Sequence, residues 1–178
     1  MTPSGGPGSV GSEGSSSTAA ARLFDSEDAL IRAAAETARR WAEARIRPLV
    51  VAFGGDLGSG KTTWVRAMLR GLGYQARVPS PTYTLVEHYP IPESDLTVVH
   101  LDLYRLADDT ELDNLGLRDW LAEPATWLLV EWPERSAALE ALADLELALE
   151  IAGPTARRLS VHGRTDRGRA AAALVANS

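Results

Sequence analysis

Eight consecutive residues, Gly55-Asp56-Leu57-Gly58-Ser59-Gly60-Lys61-Thr62, constrain this 178-residue chain more than any other feature, because they satisfy G-x-x-x-x-G-K-[ST] without a departure. Glycines let successive backbone N–H groups turn inward as an anion nest, and a helix starting at the last residues reinforces it. The lysine then reaches the β- and γ-phosphates of a nucleotide, and the threonine hydroxyl faces a magnesium ion. Such a loop works only between a buried strand and a helix. The run Leu49-Val50-Val51-Ala52-Phe53 before it reads as a strand buried on both faces, and residues 62–72 after it read as a helix ended by Gly73. Among the 18 Lys and Arg residues, Lys61 is the single lysine. A compact ammonium suits a phosphate nest where a guanidinium fork does not.

The remaining chain alternates helices and strands. Residues 4–17 are mostly Gly and Ser and cannot bury enough surface to offset their ordering entropy, so residues 1–21 are expected to be a disordered tail before a single domain over 22–178. Asp25 or Ser26 caps a helix whose apolar positions Leu30, Ile31, Ala34, Ala38 and Trp41 recur at helical spacing. Prolines 79 and 81 force an extended or turning segment. Strands are expected at 83–88, 96–103 and 127–130, a helix over 110–121, and a hairpin of 145–151 with 158–162 around Gly153-Pro154. Residues 170–175 read as a short helix or a frayed tail. The pattern predicts a three-layer α/β domain of the P-loop NTPase type, with a mainly parallel central sheet and a C-terminal hairpin.

Composition removes several alternatives. There is no cysteine, which excludes disulfides, thiolate metal sites and cysteine nucleophiles. His88, His100 and His162 are scattered, against a histidine-built zinc site. A net charge of −6 argues against holding DNA or other nucleic acid by general electrostatics. No apolar run has the length of a membrane span, and the first 18 residues lack the pattern of a secretory signal, so a cytoplasmic protein is expected.

A phosphate loop needs a carboxylate at the end of a neighbouring strand to hold or orient the magnesium shell. Asp102 and Glu131 are both placed for this. Glu131 follows the cleaner apolar run, at the C-terminal strand end where ligands of open α/β sheets collect.

Four motifs in order carry a resemblance: Gly55 to Thr63, then Ser80-Pro81-Thr82-Tyr83-Thr84-Leu85-Val86-Glu87, then His100-Leu101-Asp102-Leu103-Tyr104-Arg105, and Leu129-Val130-Glu131-Trp132-Pro133. Together they closely resemble the bacterial TsaE (YjeE) family, small P-loop ATPases of tRNA threonylcarbamoyladenosine synthesis, over about residues 23–162. The resemblance implies that Gly58, Ser59, Gly60, Lys61, Thr62 and Thr63 bind the phosphates of ATP, and that Thr62 and Glu131 ligate Mg2+. It implies that Lys61, Asp102 and Glu131 are the catalytic residues, Asp102 standing near the γ-phosphate or the metal shell. Ser80 to Thr84 would be a switch-like loop facing the nucleotide. Trp132 fits the family pattern and equally fits a core or rim tryptophan. A residue of the last hairpin would also touch the nucleotide, either Arg157 or Arg158, although a solvated arginine is the better reading of both.

The activity implied is slow Mg2+-dependent ATP hydrolysis that resets a TsaB–TsaD complex, which transfers threonylcarbamoyl to adenosine 37 of tRNA; contact with tRNA would be indirect. Two other readings stay open. One is a small-molecule phosphotransferase, with Gly163 to Arg169 as a cationic lid. The other is a nucleotide-gated binding switch.

Overall fold

The computed structural model describes residues 20–79, 81, 84–108, 110–114 and 116–176. Residues 1–19 of the expected tail lie outside them, as do Ser80, Thr82 and Tyr83 of the expected switch loop. The chain runs β1 (Ala20–Phe24), α1 (Glu27–Glu43), β2 (Leu49–Gly54), α2 (Lys61–Gly71), β3 (Val86–Pro90), β4 (Thr97–Asp102), α3 (Thr110–Asn114), α4 (Leu117–Ala122), β5 (Thr126–Glu131), α5 (Ala137–Leu142), β6 (Leu145–Ile151), β7 (Arg157–Gly163) and α6 (Asp166–Ala173). Short 3-10 turns follow β4 and β5, at Leu103–Arg105 and Pro133–Arg135.

The seven strands form one sheet in the order β1-β7-β6-β2-β5-β4-β3. Its centre, β6-β2-β5-β4, is parallel, and β7, β1 and β3 are antiparallel additions at the two sides. The fold is therefore α/β, mainly parallel in its centre, with β6 and β7 as the expected C-terminal hairpin. β2 lies between β5 and β6, so the loop leaving its C-terminal end opens above the middle of the sheet.

Two apolar layers sandwich the sheet. One face packs Phe53, Val51 and Leu129 against α1, α2 and α6 through Trp41, Trp64 and Met68. The other packs Val50, Leu128 and Val130 against Leu112, Leu117 and Leu139 of α3, α4 and α5. The alternation along β2 and β5 follows from the two-residue period of a strand. Trp41 and Trp127 meet edge to face at 5.6 Å, and their indole N–H groups donate to the carbonyls of Ala171 and Ile46. Both rings are thus buried with their polar atoms satisfied.

Local chemistry explains the element ends. Ser26 caps α1 and accepts from Ala29 N, with Glu27 and Asp28 in the first turn where the helix dipole favours anions. β1 begins at Ala20, two residues ahead of the expected start at Arg22, because Ala20 and Ala21 pair with Val161 and Ser160 of β7. The strand expected at 83–88 forms instead at Val86–Pro90; it is an edge strand, where a proline costs no ladder bond. The helix expected over 110–121 is two, because Gly116 takes a left-handed conformation (φ 84°) and starts α4 afresh. Residues 166–173 form a regular helix, α6, capped by Thr165.

Asp144 fixes the end of the sheet remote from the phosphate loop. It is buried, accepts from Val50 N, Thr165 Oγ1 and Arg167, and so ties α6 to the starts of β2 and β6. Gly163 to Arg169, the segment a phosphotransferase would use as a lid, is built into this anchor and not into the phosphate loop. Among the described residues no helix is long and apolar enough to cross a membrane.

Candidate functional site

The glycines at 58 and 60 are required by the backbone, which takes φ of 78° and 109° there before turning into α2. Gly60 is the N-cap of that helix, so the amides of its first turn, at Lys61, Thr62 and Thr63, have no carbonyl partners within the helix. A Cβ on Gly58 would meet no atom within 4 Å, so the loop faces open space on that side. Ser59 is buried and its hydroxyl has no partner among the described residues. These are the features of a built anion cradle.

Around the cradle the structure brings together the residues expected from the sequence. Lys61, Thr62, Thr63, Asp102 and Glu131 line one cleft of about 260 Å3, with Tyr104 and Trp132 at its side. Asp102 and Glu131 are register partners at the C-terminal ends of adjacent parallel strands, both buried. Thr62 Oγ1 donates to Glu131 Oε2 at 2.9 Å, joining the first turn of α2 to the end of β5. Asp102 also accepts from Tyr104 N, which caps the turn leaving β4. A hydroxyl and a carboxylate converging beside the nest fit a magnesium ion, which takes one or two protein oxygens and completes its shell with phosphate oxygens and water.

Lys61 is 5 % exposed and donates to the carbonyls of Gly55 and Asp56. Burial lowers its pKa below the usual 10.5, against the opposing pull of the carboxylates of Glu131, Glu134, Asp102 and Asp56. Its ammonium lies 3.9 Å from the centre of the Trp132 ring. Trp132 directly follows Glu131 in a left-handed conformation (φ 59°), and its ring packs on Tyr104 at 5.1 Å. Trp132 is thus a rim residue of the site that covers Lys61 with an aromatic face.

The hairpin separates its two arginines. Arg157 donates from Nε to Ser59 O at 3.0 Å and from Nη2 to Gly58 O at 3.2 Å. Its Nη1 binds the carbonyls of Gly153 and Ala156, so one guanidinium staples the β6–β7 turn to the phosphate loop. The expectation of a solvated arginine fails at this position, because an N–H fork can satisfy several loop carbonyls at once. It holds for Arg158, which is exposed and pairs with Glu150 at 3.5 Å. A second cleft, of about 210 Å3, adjoins the loop between Glu27, Leu30, Pro154 and Arg157. A more voluminous cavity, about 610 Å3 beside Trp41, Arg45 and Asp95, lies at the opposite end of the sheet, where β4 and β5 begin.

Sequence reasoning missed His100. It sits two residues before Asp102, on the same face of β4, and its Nε2 is 2.8 Å from Glu131 Oε1. The alternation His-x-Asp at a strand end was the available signal.

The sequence matches the family model described as Threonylcarbamoyl adenosine biosynthesis protein TsaE over residues 24–159. It is 40% identical over 123 residues to the tRNA threonylcarbamoyladenosine biosynthesis protein TsaE of Haemophilus influenzae, covering 69% of this chain and 75% of that one. It is 34% identical over 139 residues to the protein of the same name from Streptomyces coelicolor, covering 74% and 91%. The crystal structure of Bacillus subtilis YdiB has the same fold, with a TM-score of 0.66 at 22% identity over 89% of this chain and 94% of that one. With the match spanning the phosphate loop, both strand-end carboxylates and Arg157, this chain belongs to the TsaE family.

Proposed function

We propose that this chain is the Mg2+-dependent ATPase component of tRNA threonylcarbamoyladenosine (position 37) synthesis, acting with TsaB and TsaD. The observation that carries the reading is the contact between Thr62 and Glu131 beside Lys61 and Asp102, at the mouth of the glycine loop. A merely structural glycine turn has no need of two buried carboxylates and a buried lysine gathered at one end of the sheet.

Each residue then has a task. The amides of Gly58 to Thr63 hold the phosphates and fix the line of the scissile bond. Lys61 leaves its loop carbonyls for the β- and γ-phosphate oxygens, whose charge offsets the cost of its burial. Thr62 and Glu131 hold Mg2+, which when bound neutralises charge on the phosphoryl oxygens. Asp102, register partner of Glu131, orients the γ-phosphate side of the site. Arg157 keeps the loop carbonyls of Gly58 and Ser59 turned away from the anion.

Hydrolysis by so small a domain serves a conformational reset of the partner complex, with TsaB–TsaD doing the transfer chemistry and contacting tRNA. Co-purification of the full chain with TsaB–TsaD tests the partner part. Retention with ATP and release with ADP is the expected result; equal retention, or none with either nucleotide, contradicts it.

A further inference from the structure

Glu131 is held from two sides. Oε2 accepts from the Thr62 hydroxyl, and Oε1 lies 2.8 Å from His100 Nε2. Neither side chain sees solvent to any extent, at 0% for His100 and 2% for Glu131. The register accounts for the contact: His100 pairs with Leu129 on the parallel neighbour β5, and Glu131 is two residues further along the same face. Diagonal neighbours of this kind are within reach of long side chains.

An ionised carboxylate only accepts, so Nε2 carries the proton and donates. Nδ1 is buried without a partner among the described residues. The ring therefore makes a single polar contact in the interior, and leaves its other nitrogen unsatisfied at a cost of about 1–3 kcal/mol for a buried polar group. A histidine placed for packing alone is replaced without that cost by leucine. The terminal torsion of a glutamate is broad, so the Thr62 bond alone lets the carboxylate turn. A second donor on the other oxygen fixes its plane.

We propose that His100 is a positioning residue, which locks the Glu131 carboxylate in the orientation that receives the metal bound with the nucleotide. This rests on the Mg2+–nucleotide reading above. Partners of a ligating carboxylate typically contribute 10- to 100-fold in metal affinity.

The test measures ATP affinity of the full chain over a Mg2+ series that includes EDTA, for the parent and for His100→Leu, His100→Asn and His100→Gln. A glutamine amide nitrogen is as many bonds from Cβ as Nε2, whereas an asparagine nitrogen stops short. Leu and Asn are expected to raise the Mg2+ midpoint about 10-fold or more, Gln to restore it, and all four proteins to agree in EDTA. Imidazole 15N spectra of the parent, which need neither metal nor nucleotide, are expected to show His100 protonated at Nε2. They keep the proposal open to refutation should a variant fail to fold. Unchanged midpoints in Leu and Asn, a Gln variant no better than Asn, or an Nε2 without a proton overturns the role of His100 while the parent's Mg2+ dependence stands. A parent whose ATP affinity ignores Mg2+ overturns the reading beneath it, and the proposal with it.

Discussion

The Thr62 hydroxyl donates to Glu131 Oε2 across 2.9 Å, bridging residues 69 positions apart in the chain. Removing either end opens the same oxygen cluster. Thr62→Ala and Glu131→Gln are therefore expected to raise the Mg2+ concentration needed for tight ATP binding by about 10-fold or more. A magnesium titration that leaves either variant on the parent curve assigns that residue to structure alone.

Lys61 gives a prediction with two signs. Its folded pKa lies below the usual 10.5 because of burial, so the unfolded chain binds more protons in that window. The cost of burying its charge is present at neutral pH and is relieved as pH rises through the folded value, so this group's contribution to stability increases there. ATP affinity moves the other way, because the free protein loses the ammonium below the usual lysine range. Binding isotherms from pH 7 to 10.5 should show that loss with the fold intact. Lys61→Ala should lack the alkaline limb and bind ATP about 10- to 100-fold more weakly, from the 1.5–3 kcal/mol typical of a hydrogen bond to a charged group.

Arg157 and Arg158 are adjacent and should behave oppositely. Arg157→Ala removes four bonds to carbonyls of the phosphate loop and the hairpin turn, and should weaken ATP binding and speed amide exchange at Ser59 and Gly60. Lysine should not restore it, since one ammonium cannot span Gly153 and Gly58. Arg158→Ala, which removes an exposed pair, should change stability by less than about 1 kcal/mol. Equal effects of the two would contradict the staple.

Under the role proposed for Asp102 on the γ-phosphate side, beside its register partner Glu131, Asp102→Ala is expected to lower ATP turnover far more than ADP affinity. Single-turnover hydrolysis together with ADP titration separates the two. A matched loss in both assays argues for a structural carboxylate.

Asp144 tests the opposite end of the molecule. Asp144→Ala leaves the buried Val50 N without its acceptor, at about 1–3 kcal/mol for an unsatisfied buried donor, while the half-exposed Arg167 turns to water. Thermal melting should show the loss, while ATP affinity of the folded fraction stays at the parent value.

Where local chemistry decides, the fold was legible. Leu49 to Phe53, the glycine loop and Gly73 are each determined by neighbours in sequence, and strand, turn and helix end formed there. β1 was not visible in Ala20–Phe24, five residues without alternation that become a strand only because β7 offers an edge. Pro90 concealed the end of β3, since its tolerance depends on the strand being at the sheet edge. The site divides the same way. Lys61 and Thr62 follow from spacing, and Glu131 from its place after an apolar run. His100 and Arg157 act through the pairing of β4 with β5 and of β7 with β6, and pairing is a tertiary property.

ATP hydrolysis by the full chain, alone and mixed with TsaB and TsaD, with Mg2+ and with EDTA, decides whether the chain is the proposed ATPase. Slow Mg2+-dependent turnover by the chain alone, a rise on adding the pair, and loss of both in Lys61→Ala are expected. Turnover absent in every mixture, or unaltered by EDTA and by Lys61→Ala, would contradict it.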